Sequence, residues 1–537
     1  MKRKGIIMLA AALCTALFAS AAMAVDVATP QELTEALAGN EDINVTSDMS
    51  GNIMFIITKD TNINLGGYTI TRNHDTSSSE ATPVFYITNG KLTLSNGTIK
   101  SANNDGIAEG ARVQPSDAGA DAAIELNSVN IDSSDNALSI YADTSGGNLN
   151  DKPTYKASAV VNGNSLLYGK GVGAFVIGKQ ASLTLNDGEI KSDAFAISGN
   201  GRRDSVNNGG TLITINGGKV VSEQTCAIYQ PQAGTINITG GTVTGYDGIQ
   251  MKAGTLNMSG GTLEGTGAFD DSYTYPVGQN DGSMNTGAAL SILSHGSVGD
   301  TGYAGEMSVN ISGDATLVSK FGYAIAEANM NVAGTENKFS ALNITGGTFT
   351  GAEGKSAVAM TNASDENTTI TAGTFSTDLA TCEGLTGLTN LPQTAKDENG
   401  NYYVVVNAES IAFETNAIEL AMNETFTLRV IFTPDNTTEK ALTWSSSDEK
   451  VATVDTDGKI TPVAPGTAII TAALADDDSV YATCTVTVTE EEVPPTPPVT
   501  SDDVKPQPSG SGGGGCSAGF GALALLAALP LLRMRKK

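Results

Sequence analysis

Four stretches of this 537-residue chain share one ten-residue pattern: Thr211-Leu-Ile-Thr-Ile-Asn-Gly-Gly-Lys-Val220, Gly234-Thr-Ile-Asn-Ile-Thr-Gly-Gly-Thr-Val243, Gly254-Thr-Leu-Asn-Met-Ser-Gly-Gly-Thr-Leu263 and Ser340-Ala-Leu-Asn-Ile-Thr-Gly-Gly-Thr-Phe349. Fainter copies are Lys91-Leu-Thr-Leu-Ser-Asn-Gly-Thr-Ile99, Ser182-Leu-Thr-Leu-Asn-Asp-Gly-Glu-Ile190 and Thr369-Ile-Thr-Ala-Gly-Thr-Phe375. The glycine pairs that begin at Gly217, Gly240 and Gly260 stand 23 and 20 residues apart. A period in that range specifies a solenoid.

One unit accounts for the period. Ile236 and Ile238 alternate with Thr235, Asn237 and Thr239, so one side of a short strand points inward. Gly240-Gly241 turns the chain where a Cβ would clash, Thr242-Val-Thr244 is a second strand, and Gly245-Tyr-Asp-Gly248 turns again into Ile249-Gln-Met251. Three strands and three turns make a coil of about 22 residues, and coils stacked about 4.8 Å apart pair every strand above and below. The predicted fold is a right-handed parallel β-helix, its hand following from the preference for right-handed crossovers. Such a fold leaves two open sheet edges. Thr29-Pro-Gln-Glu32 is a capping box with proline at the first helical position, followed by Leu33, Ala36 and Leu37 on one face, and this helix is placed to close the first edge.

Residues 25–405 resemble the pectate-lyase-like β-helix superfamily, especially the Thr/Gly-rich versions of bacterial surface and adhesin-like proteins. The repeats specify architecture only, because such folds host both enzymes and inert stalks.

A second unit, residues 408–489, has short strands at regular spacing: Thr425-Phe-Thr-Leu-Arg-Val-Ile431, Leu442-Thr-Trp444, Val451-Ala-Thr-Val454, Gly466-Thr-Ala-Ile-Ile-Thr-Ala472 and Ala482-Thr-Cys-Thr-Val-Thr-Val488, with Asp-Gly and Pro-Gly turns. That is a β-sandwich pattern. Trp444, the one tryptophan, is read as its core anchor, with a sugar-stacking platform as the alternative. The string from Trp444 through Gly458 to Ala472 resembles the bacterial Ig-like group 2 domain, which implies a spacer or cell-contact module. Residues 490–515, with Pro494-Pro-Thr-Pro-Pro498 and Gly512 to Gly515, read as a linker that is first stiff and then flexible.

The two ends read as addresses. Lys2-Arg3-Lys4, the apolar run Ile6 to Phe18 and Ala22-Met23-Ala24 form a signal peptide over residues 1–24, with cleavage by signal peptidase between Ala24 and Val25. Lipoprotein processing at Cys14 is disfavoured by the bulk of Leu13. At the other end, Phe520 to Leu532 is 13 residues and contains Pro530, whereas a membrane-spanning helix needs about 20. Residues 516–537, from Cys516-Ser-Ala-Gly-Phe-Gly to Arg533-Met-Arg-Lys-Lys537, resemble C-terminal sorting signals of the GlyGly-CTERM and Synergist-CTERM type. The resemblance implies a rhombosortase-type protease, a Gram-negative-type envelope and cleavage near Cys516, which would carry a surface anchor. The plainer alternative is a short permanent tail anchor.

Charge narrows the partners. The chain has 30 basic and 58 acidic residues; setting aside the leader's three basic residues and the tail's four leaves 23 against 58, a net charge of −35. Such a surface repels nucleic acid and anionic membrane. Cys226, Cys382 and Cys484 make no disulfide framework, no metal-ligand spacing occurs, and His74 and His295 are the two histidines.

Chemistry, if present, belongs to insertions between coils. The candidates are Gly199 to Gly210 with Arg202 and Arg203, Thr266 to Thr286 with Asp270, Asp271 and Tyr275, and Ser294 to Gly305 with His295 and Asp300. An enzyme reading uses Asp270 and Asp271 as acid and base; a lyase reading needs a basic residue, Arg202 or Arg203, as base beside a Ca²⁺-bound uronate. No carboxylate pair recurs on successive coils, and residues 25–405 hold only four arginines, so a polyuronate cleft is disfavoured. Asp476, Asp477 and Asp478 are the remaining candidates for Ca²⁺; no other cofactor is implied. The expectation is an all-β, exported, envelope-anchored surface protein of adhesin-like type, with a glycan or host surface as its ligand. A tethered carbohydrate-active enzyme, either a polysaccharide lyase or a glycoside hydrolase, is the alternative.

Overall fold

A computed structural model of the chain describes residues 24–73, 82–102, 108–116, 120–142, 155–199, 210–268, 285–294, 306–329 and 339–490. The leader up to Met23, the linker from residue 491 and the tail with Cys516 lie outside these residues.

The expected alternation becomes a parallel β-helix with three strand faces. In the unit that defines the repeat, Gly234–Ile238 lies on the first face, Thr242–Gly245 on the second and Ile249–Met251 on the third. Each strand pairs in parallel with its counterparts one coil before and after. Among the described residues the third face has 11 strands, from Phe55–Ile57 to Val358–Ala359. In-register stacking places like side chains in columns. On the first face the inward column runs Ile63, Leu94, Leu126, Val161, Leu185, Ile215, Ile238, Met258, Ile311, Ile344, Ile370. These residues belong to one continuous apolar core that extends from Val27 to Val404. Burial at roughly 25 cal/mol per Å² of apolar surface makes this column, repeated on the other faces, the main source of stability.

The outward sides of the first face are tied by asparagine ladders. Asn162 Nδ2 donates to Asn127 Oδ1 (2.9 Å), Asn186 to Asn162 (2.8 Å) and Asn216 to Asn186 (2.8 Å). A second run links Asn257 to Asn237 (2.9 Å), Asn310 to Asn257 (2.8 Å) and Asn343 to Asn310 (2.8 Å). Each amide has one donor and one acceptor aligned along the stacking axis, so a column of asparagines satisfies itself.

Both edges are closed. The helix Pro30–Ala36 forms with the expected capping box: Thr29 Oγ1 accepts from Glu32 N (3.2 Å), Glu32 Oε2 accepts from Thr29 N (3.1 Å), and Leu33 is fully buried. The far end is closed by a feature that the repeats do not announce. Tyr402–Val404 runs antiparallel to Thr368–Phe375 and to Thr394–Lys396, which ends the parallel stack, and Leu379, Cys382 and Leu385 pack beneath it.

The second unit is the expected sandwich. Ala417–Ala421, Tyr481–Thr489, Gly466–Leu474 and Leu442–Ser446 form one sheet, and Phe426–Thr427, Lys459–Pro462 and Ala452–Val454 another. Leu420, Ile460, Ile470, Cys484 and Val486 fill its core, and Trp444 packs against it, stacked on Phe413 at 5.7 Å. Trp444 is therefore the core anchor, and Cys484 is a small buried hydrophobe in that core. The two units meet where Val406 N donates to Thr438 Oγ1 (2.9 Å) and Thr438 N donates to Val406 O (3.0 Å).

Candidate functional site on the third face

The turn between first and second faces never exceeds four residues among the described coils. The connections that enter or leave third-face strands are longer: nine residues before Pro83–Ile87, 15 after Asn136–Tyr141, 12 after Phe195–Ser198, 24 before Leu290–Ser294 and 12 after it. The third face is thus where the chain departs from its minimal coil, and there it also carries buried polar chemistry.

Two centres stand out. In the first, Glu109 is buried; its Oε2 takes a charge-assisted bond from Arg112 Nε (2.6 Å) and its Oε1 accepts from Ser139 Oγ (3.0 Å). The Arg112 guanidinium lies 5.9 Å from the Tyr86 ring centre and 5.6 Å from that of Tyr141, and Tyr141 meets Phe175 edge-on at 5.9 Å. Burial pulls the Arg112 pKa down, but the bond to Glu109, the charge of Glu109 and the nearby Tyr141 and Tyr86 together outweigh it and leave the group raised. Burial, with the charge of Glu109 added, pushes Asp135 up to about 6 and Tyr141 up to about 12. The result is a pre-positioned arginine between aromatic rings.

In the second, the Asp247 carboxylate is fully buried. It accepts from Thr286 N (3.0 Å), Gly287 N (2.6 Å), Gln250 Nε2 (2.7 Å) and Ser291 Oγ (2.8 Å). Burial pushes Asp247 up to about 6 against those hydrogen bonds. The neighbouring Cys226 thiol is pushed up by its own burial, with the charge of Asp247 adding to it. Lys252 is fully buried, with its ammonium 5.3 Å from the Tyr229 ring centre. Thr286 and Gly287 follow Asn285 at the return of the segment 269–284, so Asp247 clamps the point where that segment rejoins the helix.

Arg202, Asp270 and Asp271, like His295 and Asp300, lie outside the described residues. Asp476, Asp477 and Asp478 occupy an exposed turn between Gly466–Leu474 and Tyr481–Thr489. Asp477 Oδ1 accepts from Ser479 N (3.0 Å), so this carboxylate shapes the turn. Among the described residues no group of three His, Cys, Asp or Glu side chains is arranged to hold a metal ion. At the start of the described chain, Val25–Val27 is the first described strand of the solenoid, and Val25 N donates to Asp42 O (2.7 Å). The sequence reading passed over Asp247 and Glu109. The one signal available was an aspartate inside a Gly-Tyr-Asp-Gly turn; the Glu-x-x-Arg spacing gave none, because residues three apart on a strand face opposite sides.

Fold and site together define a parallel β-helix that bears polar chemistry and long connections on one face, followed by an Ig-like sandwich. Residues 407–486 match the bacterial Ig-like domain (group 2). Stretches of the chain are similar to much longer proteins. An uncharacterised protein of Clostridium acetobutylicum is 45% identical over 82 residues, covering 15% of this chain and 8% of that protein. Lacto-N-biosidase of Bifidobacterium bifidum is 41% identical over 103 residues, covering 19% and 9%. A 3-O-alpha-D-galactosyl-alpha-L-arabinofuranosidase of Bifidobacterium longum is 40% identical over 88 residues, covering 16% and 8%. The chain thus spans less than a tenth of the length of these three relatives.

Proposed function

We propose that the protein is an exported, envelope-anchored surface protein of adhesin-like type, in which the Ig-like domain is a spacer and the β-helix presents loops to glycans or a host surface. The observation that carries this reading is that, within the coils, the long connections enter or leave third-face strands. A rigid scaffold that gathers its longer connections beside one face is built for recognition. The Ig-like domain, the leader with Ala24–Val25 and the tail with Cys516 support the same reading. In this account signal peptidase and a rhombosortase-type protease are processing partners, and the net charge argues against nucleic acid.

One observation favours a second reading: two of the relatives bear glycosidase names, which supports a carbohydrate-active enzyme. The two readings separate on turnover. The purified mature chain is incubated with a panel of neutral and acidic polysaccharides, and reducing ends and unsaturated products are measured. Surface display predicts binding without product; sustained release of either product overturns it in favour of the enzyme.

A further inference from the structure

The second face carries a depression formed wholly by described residues. A groove of about 420 Å³ is lined by Thr98, Lys100, Asn130, Asp132, Leu166 and Tyr168. Their placement follows from register: Lys100, Asp132 and Tyr168 occupy one outward column on three successive coils, and Thr98, Asn130 and Leu166 the adjacent one. Strands about 4.8 Å apart make the three coils about 10 Å across, the length of one or two sugar rings.

The chemistry of the lining narrows the ligand. Leu166 and Tyr168 rise from one end as an apolar wall, and the Tyr168 hydroxyl donates to Asp193 Oδ1 (2.8 Å), which fixes the ring along the face. Burial and that bond push Tyr168 up to about 12, so the phenol stays a neutral donor. The facing groups alternate: Lys100 donates, Asp132 accepts, and Asn130 and Thr98 do both. Adjacent sugar hydroxyls, which each donate and accept, match such a set, and the apolar side of a pyranose matches a tyrosine ring. Lys100 and Asp132 are opposite in sign, and the net charge of −28 repels polyanions, so the fitting ligand is neutral. A comparable groove on the first face, of about 440 Å³, has Asn237, Asn257 and Asn310 on its floor, which already bond to one another, and no aromatic residue in its lining.

We propose that the second-face groove is a binding site for one or two residues of a neutral saccharide, with Tyr168 as stacking platform and Asp132 and Lys100 bonding to neighbouring hydroxyls. The assignment deepens the surface-display reading and rests on it only for where the glycan is met. The test is calorimetric titration of the mature chain with lactose, N,N′-diacetylchitobiose and arabinobiose, with galacturonate and glycine as charged counter-probes. At least one neutral disaccharide is expected to bind at a ligand concentration below about 10 mM, with Tyr168→Ala weakening it about tenfold. Tyr168→Phe, which keeps the ring, is expected to stay within about twofold, and Asp132→Asn to weaken binding about fivefold, with circular dichroism unchanged in every variant. The proposal is overturned if none of the three disaccharides binds, if binding survives Tyr168→Ala and Asp132→Asn, or if galacturonate or glycine binds more tightly. Display is read separately on intact cells, so a displayed chain that fails to bind removes the groove and leaves the surface reading standing.

Discussion

Asp247→Asn isolates one buried charge within the solenoid. The Asp247 pKa is pushed to about 6 by full burial, some two units above an ordinary carboxylate. A folded-state pKa above the unfolded one means that the native protein binds the extra proton first. The group's contribution to stability is therefore fully present below about pH 4 and is lost as pH rises through about 6; the two units correspond to about 3 kcal/mol. Asparagine keeps the shape and one acceptor for Thr286 N and Gly287 N, but it cannot ionise. All other carboxylates are common to both proteins, so the difference in unfolding free energy, wild type minus variant, should grow by about 3 kcal/mol between pH 7 and pH 4. Urea unfolding reads it with an internal control: far-UV circular dichroism reports chiefly the long solenoid, while fluorescence of Trp444 reports the Ig-like unit alone. The fluorescence midpoint should match wild type at each pH. A difference that stays constant with pH would refute the reasoning, because Asp247 would then not carry a burial-raised pKa.

Other substitutions probe the frame. Gly241 has φ +80° and an added Cβ would lie 2.8 Å from the Gly217 carbonyl, so Gly241→Ala should lower the unfolding free energy read by circular dichroism by about 2 kcal/mol or more and leave Trp444 fluorescence unchanged. Gly458 has φ +77° beneath the Trp444 ring, at 2.6 Å from an added Cβ; Gly458→Ala should red-shift the tryptophan emission and cost the Ig-like unit about 2 kcal/mol. Leu33→Asp places a charge under the N-terminal cap, and the uncovered edge should show as concentration-dependent association in light scattering.

What was legible in the sequence follows from how far apart the partners are. The Ile-Asn-Ile-x-Gly-Gly pattern could be read because each coil repeats the environment of the last, so Ile215, Ile238 and Met258 obey one rule 20 to 23 residues apart. The Thr29–Glu32 capping box is local and was equally plain. Asp247 was not: its donors Thr286, Gly287 and Ser291 lie 39 to 44 residues onward, beyond an insertion, and nothing near it marks the aspartate as buried. The Arg112 centre draws Tyr86, Glu109 and Tyr141 from three coils where the repeat is degenerate, so no column predicts it. The C-terminal cap necessarily breaks the pattern, since an antiparallel strand is what halts a parallel stack.

The central claim is display at the cell surface. Intact cells are treated briefly with trypsin and the released peptides identified by mass spectrometry, beside a lysed control and a cytoplasmic marker. The account predicts release, before lysis, of peptides from both the β-helix and residues 407–486, with the most N-terminal peptide beginning at Val25. Recovery of these peptides only after lysis, or of peptides that contain Ala24 joined to Val25 from the mature protein, would contradict it.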